Sequence, residues 1–345
     1  MVLNKKNKII AIALFVIGAA LILFFYKWLW KDNIKAETGE IELLIPTGSN
    51  YGDLVKIIKE KDILKSFSSF DLVAKVLKFK EGKVLSGRYM IKNDMSSFAL
   101  VRMLRAGFQT PVKITFNNVR TIEQLAGKLS GNIEPDSLTL LSYFLDSANL
   151  ASWGFNKYNL ISMFIPDSYE FYWNTSAEKL VNRFRDEHDK FWNKNDRKLR
   201  ASKIGLKPDE VYTVASIVEK ETLVNDEKST ISSVYLNRLR SGQRLQADPT
   251  VVFASGDFGT NRVYEKHTYT NSPYNTYRHA GLPPGPICMP DVSTIDAVLD
   301  TKETDYMFFC AVGDGSGRHA FAKTFDQHLQ NANRYRELLN KQEIR

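Results

Sequence analysis

The sequence predicts an α+β protein with a single N-terminal transmembrane helix, a small βααβ domain and a larger mixed α/β domain. Three observations support this fold class: an uncharged apolar run at residues 9–26, a strand–helix–helix–strand pattern after residue 40, and a length of 345 residues, enough for two domains with cores of their own. Apolar residues make up 43% of the chain and charged residues 25%, which is ordinary for a folded protein.

The first 30 residues predict a retained membrane anchor. Three lysines precede the apolar run, which is 18 residues long, and aromatic and lysine side chains follow it. A run of that length is just enough to cross a bilayer core, and no small-residue cleavage site follows it. The positive-inside bias then predicts a cytoplasmic tail at residues 1–8, an anchor at 9–30 and a single-pass protein of the cell (inner) membrane, with the remaining chain on the extracytoplasmic (periplasmic) side.

After a polar linker at residues 31–40, a small domain is predicted at 41–110. Short apolar alternations predict its strands, and apolar side chains three and four residues apart predict its helices. Gly107 is expected to end the last of these helices in a left-handed conformation. The predicted elements are a strand at 41–45, helices around Leu54 and at 70–77, a strand at 86–91 and a helix at 95–104.

The larger domain is predicted at residues 111–345. Alternation of Val112, Ile114 and Phe116 with polar residues predicts a half-buried strand. Several helices are predicted to open at capping boxes, in which threonine is followed three residues later by glutamate or glutamine. The other predicted elements are helices after Thr121 and Thr175, helical periodicity over 137–150, a helix opening at Pro208, a helix at 231–240, a loop-rich region at 257–290, a buried strand at 306–312 and a helix after Thr324.

The helix that opens at Pro208 carries an acidic side chain on its apolar face. Advancing about 100° per residue brings Glu221 into the stripe formed by Val214, Ile217 and Val218, whereas Glu219 points away. A carboxyl in such a stripe is unfavourable unless it is paired or functional, and burial raises its pKa toward the range of a general acid. The alternative is that the two glutamates belong to a solvated turn.

Sequence blocks on and around this helix resemble the endolytic murein transglycosylases, the MltG- or YceG-like family. The signature is Ala215-Ser-Ile-Val-Glu-Lys-Glu-Thr222, and further blocks follow in the order that the family shows. Ordered blocks that span about half of the chain are far more specific than a lone motif. The further matching blocks are residues 164–171, 234–239, 244–250, 274–277 and 281–287.

The resemblance implies a membrane-anchored enzyme with a LysM-like domain at 41–110 and a YceG-like catalytic domain at 111–345. Enzymes of this kind cleave the MurNAc–GlcNAc bond of nascent peptidoglycan strands and leave 1,6-anhydro-MurNAc ends, which terminates glycan elongation. Because the substrate's own C6 hydroxyl is the nucleophile, one carboxyl that acts first as acid and then as base suffices, whereas ordinary glycosidases need two. The implied partners are glycan strands and peptidoglycan synthases.

The resemblance assigns catalysis to Glu221, the residue that the helical pattern also selects. Glu219 is the second choice, with solvation or a hydrogen bond to a loop as its structural alternative. Asp248 precedes Pro249 and fits a helix N-cap as well as a sugar contact, and loop tyrosines pack against cores as well as against sugars. The predicted substrate-binding residues are Glu219, Gln246, Asp248, Tyr274, Asn275, Thr276 and Tyr277.

Other chemistries have little support in the sequence. The net charge of +8 suits an anionic partner, but no nucleic-acid-binding motif is present and no nucleic acid is predicted as a partner. His319 and His328 lack metal-ligand spacing, so neither a metal nor another cofactor is predicted. Cys288 and Cys310 lack redox spacing, and a disulfide between them stays open. Two rival functions remain: a hydrolytic muramidase with a second acid such as Glu170, and a non-catalytic membrane-anchored peptidoglycan-binding scaffold.

Overall fold

Helices dominate the structure, a computed structural model that describes residues 5–35, 39–259 and 265–341. The strands of these residues form three two-stranded sheets, so the predicted mixture of helices and strands is confirmed. The chain divides into two units. The N-terminal unit extends to Lys113 and takes in two later segments, Asn132–Glu134 and Glu170–Thr175, and the C-terminal unit comprises the rest.

The N-terminal unit is built on an antiparallel pair of strands, with Glu40 opposite Lys92 and Ile45 opposite Gly87. Alternate side chains of both strands, such as Leu43 and Tyr89, are completely buried against the helices. Gly107 ends the last helix with a φ of 70°, as predicted. The elements are α1 (Lys5–Trp30), β1 (Glu40–Ile45), α2 (Tyr51–Glu60), α3 (Phe67–Val76), β2 (Gly87–Lys92) and α4 (Ser97–Ala106).

The strand–helix–helix–strand order of β1, α2, α3 and β2 follows from clear local signals. Asn50 caps α2 and forms a capping box with Asp53, and Ser66 caps α3. Burial of Leu54 and Ile58 on α2 and of Phe70 on α3 reproduces the predicted apolar faces. The LysM-like assignment of residues 41–110 stays a prediction, because it depends on the family resemblance.

The predicted transmembrane anchor at residues 9–30 is wrong, and so is the single-pass membrane localisation that depended on it. In the part of the chain that the structure describes, no helix is both long and apolar enough to cross a membrane. The predicted tail and linker lie partly outside the described residues, at 1–4 and 36–38.

The C-terminal unit packs its helices around α10, which is buried on every side from Val211 to Val218. Helices α11, α12 and α14 contact α10 directly. Strands β3 and β4 pair with each other, and so do β5 and β6. The elements from residue 112 onward are β3 (Val112–Phe116), α5 (Ile122–Ser130), α6 (Ser137–Phe144), α7 (Ser147–Trp153), β4 (Asp167–Phe171), α8 (Ala177–Asn193), α9 (Arg197–Lys203), α10 (Pro208–Glu221), α11 (Lys228–Arg240), α12 (Asp248–Ser255), α13 (Glu265–Thr268), α14 (Val292–Leu299), β5 (Phe308–Ala311), β6 (His319–Ala322) and α15 (Phe325–Lys341).

Two of the three threonine caps predicted in this unit are confirmed. Thr121 and Thr324 accept hydrogen bonds from the N–H groups three residues later, as predicted. The periodic stretch at 137–150 is two helices, because Asp146 accepts a hydrogen bond from the Asn149 N–H and starts a new helix. Ser176, one residue after the predicted threonine, caps α8. Both cysteines carry free thiols.

Candidate active site

Helix α10 positions Glu221, its last residue, and both ends of the helix are well defined. At the start, Pro208 occupies the first turn, where a missing N–H is harmless, and the Glu210 carboxylate accepts a hydrogen bond of 2.7 Å from the Lys207 N–H. At the other end Thr222 is extended, with a φ of −144°, so Glu221 is the last residue of the helix. The partial negative charge of a helix C-terminus disfavours a carboxylate there.

The carboxyl of Glu221 faces an open cavity of about 310 Å³. One part of the wall is polar and includes Gln246, Asp248 and Tyr277, and the other is aromatic and comes from β5 and α15. The further lining residues are Tyr235, Arg238, Leu245, Phe308, Phe309, Phe325 and His328. A concave, water-accessible site with one half-buried carboxyl and few other charges has the chemical character of a small-molecule or glycan site.

Burial dominates the chemistry of Glu221, raising its pKa from an ordinary 4.5 to about 7. The negative charge of Asp248 acts in the same direction, while a hydrogen bond from the Tyr235 hydroxyl and the positive charge of Arg238 act against it. A carboxyl with a pKa near neutrality can both give and take a proton at physiological pH. The site therefore provides a general acid–base group.

Arg238 is a buried cation at the edge of this cavity. Its side chain is fixed by donation from Nε to the Met307 carbonyl at 2.7 Å and from Nη1 to the Leu245 carbonyl at 2.5 Å. Only 8% of the residue is exposed, and within the described part of the chain it forms no ion pair. Burial lowers its pKa. Its uncompensated positive charge is therefore available to the carboxylate form of Glu221.

Asp248 and Tyr277 form part of the polar wall of the cavity. The Tyr277 hydroxyl donates to Asp248 Oδ1 at 2.5 Å, and burial together with this carboxylate raises the pKa of Tyr277. Asp248 is the first residue of α12 and makes no capping bond, since Ala247 occupies the N-cap position. The structural alternative for Asp248, that of a cap, is therefore wrong.

The remaining predicted binding residues occupy two environments. Gln246 is exposed, lines the cavity and adopts a positive φ of 51°. Asn275 is completely buried and ties the loop together, donating to the Thr268 and Thr270 carbonyls at 2.9 and 2.8 Å. Thr276 is also buried, and its hydroxyl accepts a hydrogen bond of 3.0 Å from the Ala247 N–H. These two side chains position the loop and do not line the cavity.

Glu219 and Tyr274 do not line the cavity either. The Glu219 carboxylate pairs with Lys228 Nζ at 3.2 Å and accepts a hydrogen bond from the Thr294 hydroxyl. Its side chain is only 16% exposed, so the predicted solvation of this residue is wrong. Tyr274 packs its ring 4.7 Å from that of Phe253. The structure thus brings Gln246, Asp248 and Tyr277 together with Glu221 and places the other four candidates around them.

Sequence reasoning missed several lining residues, and only two of these left a usable signal. Tyr235 and Arg238 lie three residues apart, on one face of a helix, inside a block that resembles the family. His328 stacks on Phe308 with ring centres 5.3 Å apart, and burial and Arg238 lower its pKa. Nothing in the spacing of His328 indicates the cavity. In residues 5–35, 39–259 and 265–341 no group of three or more His, Cys, Asp and Glu side chains could hold a metal ion.

Comparison with known proteins places this geometry in context. A family model described as the YceG-like family matches residues 43–334. The chain is 27% identical over 338 residues to an endolytic murein transglycosylase of Bacillus subtilis, an alignment that covers 93% of this chain and 91% of the relative. A protein of the same name from Streptococcus pneumoniae is 25% identical, with 83% of this chain and 57% of the relative covered. A crystal structure of a yceG-like protein from Listeria monocytogenes superposes with a TM-score of 0.54 at 26% identity, covering 85% of this chain and 99% of that one.

Proposed function

The chain belongs to the YceG-like family, and from this premise we propose that it is an endolytic murein transglycosylase, a lyase that cleaves peptidoglycan strands, with Glu221 as its catalytic residue. The observation that supports this role is a half-buried carboxyl with a pKa raised to about 7, facing a cavity open to solvent. No other carboxyl described here combines these properties, since Asp248 is exposed and Glu219 is ion-paired.

The proposed reaction uses the carboxyl of Glu221 twice, first as an acid and then as a base. Protonated Glu221 gives its proton to the glycosidic oxygen as the bond from that oxygen to the anomeric carbon of MurNAc breaks. The carboxylate then takes the proton of the C6 hydroxyl, whose oxygen closes the 1,6-anhydro ring on the anomeric carbon. Glu221 ends protonated, and no water is consumed.

Tyr235 and Arg238 make the carboxylate stage of this cycle accessible. The Tyr235 hydroxyl donates to Glu221 Oε1, and a hydrogen bond to a charged acceptor is stronger than one to a neutral acceptor. Arg238 adds a positive charge that needs no reorganisation, because two backbone carbonyls fix its guanidinium. Both groups offset part of the rise in the pKa of Glu221 that burial causes. Glu221 can therefore act as an acid and as a base.

The decisive experiment compares Glu221→Gln with the wild type on purified glycan strands, with products identified by mass spectrometry. The wild type should release 1,6-anhydro ends, and Glu221→Gln should lose about 10²–10⁴-fold in rate, because the amide cannot exchange the proton. Glu170→Gln is the matched control: Glu170 is an exposed residue of β4 that does not line the cavity, and its rate should stay near that of the wild type.

Other outcomes identify the two rivals. Reducing ends, together with an Asp248→Asn variant as inactive as Glu221→Gln, would identify a hydrolytic muramidase that uses the second acid of the cavity. Unchanged strand lengths with the wild type and with Glu221→Gln would identify a glycan-binding scaffold. A role in terminating nascent strands beside peptidoglycan synthases is part of the proposal and rests on the family resemblance.

A further inference from the structure

Four aromatic rings form a continuous row in the C-terminal unit, which we call the aromatic row: Tyr158, Tyr274, Phe253 and Phe258. Successive ring centres lie 6.4 Å apart from Tyr158 to Tyr274, 4.7 Å from Tyr274 to Phe253 and 6.1 Å from Phe253 to Phe258. The Tyr274 hydroxyl also donates to the Tyr158 carbonyl at 3.4 Å. The rings are thus held together by contacts with one another.

The two ends of the aromatic row are open to solvent and each carries a cation. Tyr158 is 40% exposed and Phe258 is 37% exposed. Lys157 Nζ lies 4.9 Å from the centre of the Tyr158 ring, and the guanidinium carbon of Arg120 lies 4.5 Å from that of Phe258. An exposed aromatic surface with hydroxyl and cationic groups at its edges differs from the purely apolar patch that mediates protein association.

The middle of the aromatic row shares a helix and a loop with the wall of the candidate active site. Phe253 lies five residues after Asp248 on α12, a rise of about 7.5 Å, and Asp248 lines the cavity. Tyr274 lies three residues before Tyr277, the hydrogen-bond partner of Asp248. The same helix and the same loop therefore supply both a wall of the cavity and the middle of the row.

We propose that the aromatic row is a glycan-binding subsite that holds the strand on one side of the bond being cleaved. This inference rests on the proposed function and extends it to residues outside the cavity. The C–H faces of pyranose rings stack on aromatic faces, and the steps between the four rings are comparable to the size of one sugar residue. The flanking Lys157 and Arg120 donate hydrogen bonds to sugar hydroxyl and acetamido oxygens. Binding of several sugar residues beyond the cleaved bond favours cleavage within a strand over cleavage at its end.

The test measures binding without cleavage. In a Glu221→Gln background, we would titrate long, uncrosslinked glycan strands and record Kd for the protein with and without the double substitution Tyr158→Ala and Phe258→Ala. These two rings are the most exposed of the four, and their loss leaves the central contact between Tyr274 and Phe253 in place. Loss of two stacking contacts should raise Kd on the order of 10-fold. The matched control is Tyr172→Ala, an aromatic residue that is 54% exposed and lies outside the aromatic row and outside residues 41–110, which should leave Kd unchanged.

A Kd on long strands that is the same with and without the double substitution would overturn the inference. A second readout uses the enzyme with Glu221 intact: the double substitution should reduce kcat/KM more on long strands than on the shortest oligosaccharide that the wild type cleaves, and equal losses on both would also overturn it. Absence of cleavage by the wild type would refute the proposed function instead. The Kd comparison would still show whether the aromatic row binds glycan strands. Thermal unfolding of each variant shows that the fold is retained.

Discussion

Two glutamates on one helix, separated by a single residue, have opposite fates in this protein. Glu219 is paired with Lys228 and Thr294 in a contact among helices, whereas Glu221 faces the cavity with a raised pKa. Helical periodicity separated the two correctly, because it placed them on different faces. It did not predict that both faces are covered, since the partners of Glu219 come from residues 9 and 75 positions later in the sequence.

The hydroxyl of Tyr235 should set the upper end of the pH range for cleavage. The first step needs protonated Glu221, so the rate should fall as the pH rises through about 7. The hydrogen bond from Tyr235 lowers the pKa of Glu221, so Tyr235→Phe should raise that pKa and move the falling limb of the pH–rate profile up by roughly one pH unit. The measurement is kcat/KM for strand cleavage as a function of pH.

Tyr212→Phe is the matched control for Tyr235→Phe. Tyr212 is a buried tyrosine on α10 whose hydroxyl donates to the Phe164 carbonyl at 2.8 Å, and it does not line the cavity. Loss of the Tyr212 hydroxyl should leave the falling limb of the pH–rate profile at the same pH as in the wild type. A limb that moves equally in both variants would attribute the shift to a general loosening of the fold and not to the bond with Glu221.

The same raised pKa predicts that Glu221→Gln is more stable than the wild type at high pH. Glu221 binds its proton more tightly in the folded state, where its pKa is about 7, than in the unfolded state, where it is near 4.5. Its contribution is therefore fully present below about pH 4.5 and is lost as the pH rises through 7, where the ionised carboxylate costs about 3 kcal/mol. Glutamine has no such ionisation.

Urea unfolding between about pH 5 and about pH 8 checks this linkage. The difference in free energy of unfolding between Glu221→Gln and the wild type should grow with pH and level off above 7. A difference that does not depend on pH would mean that the carboxyl is not desolvated in the folded protein. Proteins often lose stability at catalytic residues in this way, because function requires a group that the fold alone disfavours.

One buried ion pair and its hydrogen bonds join the three helices α10, α11 and α14. Lys228, on α11, is only 5% exposed at its side chain and donates to Glu219 on α10 at 3.2 Å and to Thr294 on α14 at 2.7 Å. Thr294 in turn donates to Glu219. Glu219 lies two residues before Glu221, so this triad fixes the end of α10 from which the Glu221 carboxyl projects.

Removal of one partner of this pair should be far worse than removal of both. Lys228→Met leaves the Glu219 carboxylate buried without its cation and should lower the free energy of unfolding by about 3–5 kcal/mol. The double substitution Lys228→Met with Glu219→Gln should recover most of that loss, because no unpaired charge remains. A double-mutant cycle of urea unfolding measures the coupling. The control, Arg183→Met, breaks an exposed pair with Glu187 and should cost less than about 1 kcal/mol; equal losses at Lys228 and Arg183 would contradict the proposed role of the buried pair.

Local signals predicted elements well, and long-range contacts decided the rest. Threonine capping boxes and a proline located the starts of α5, α10 and α15, because caps are determined by residues three or four apart. The break between α6 and α7 escaped the pattern because the apolar spacing continues across it. The aromatic wall of the cavity could not be predicted, since β5 and α15 reach Glu221 from about 90 to 110 residues away in the sequence.

At the scale of the whole molecule, the wrong prediction of a membrane anchor shows what composition alone cannot predict. The apolar run at residues 9–26 satisfied the lower bound on length and carried the expected lysine flanks. A membrane span is predicted when hydropathy and length exceed minimum values. An apolar run that only just reaches those values is weak evidence for a span. In contrast, the ordered blocks that run from residue 164 to residue 287 identified the family correctly, because each block adds an independent constraint.

The division of the chain into units makes a final prediction, which concerns residues 111–345, the predicted catalytic domain. Two later segments belong to the N-terminal unit. Glu134 accepts hydrogen bonds from the Thr47 N–H and hydroxyl at 2.6 and 2.5 Å, and Asn174 donates to the Ser86 carbonyl and hydroxyl at 3.1 and 2.9 Å. A fragment starting at residue 111 keeps these two segments but loses the partners that hold them.

We therefore expect residues 111–345 to be less stable than the full chain, by about 1–3 kcal/mol from these exposed and half-buried hydrogen bonds alone. Urea unfolding of the fragment and of the full chain, followed by far-UV circular dichroism, gives the two free energies. The double substitution Glu134→Ala and Asn174→Ala in the full chain removes the same bonds without truncation and should reproduce part of the loss. A fragment as stable as the full chain would show that the two returning segments need no partners, and the predicted catalytic domain would then fold as an independent piece.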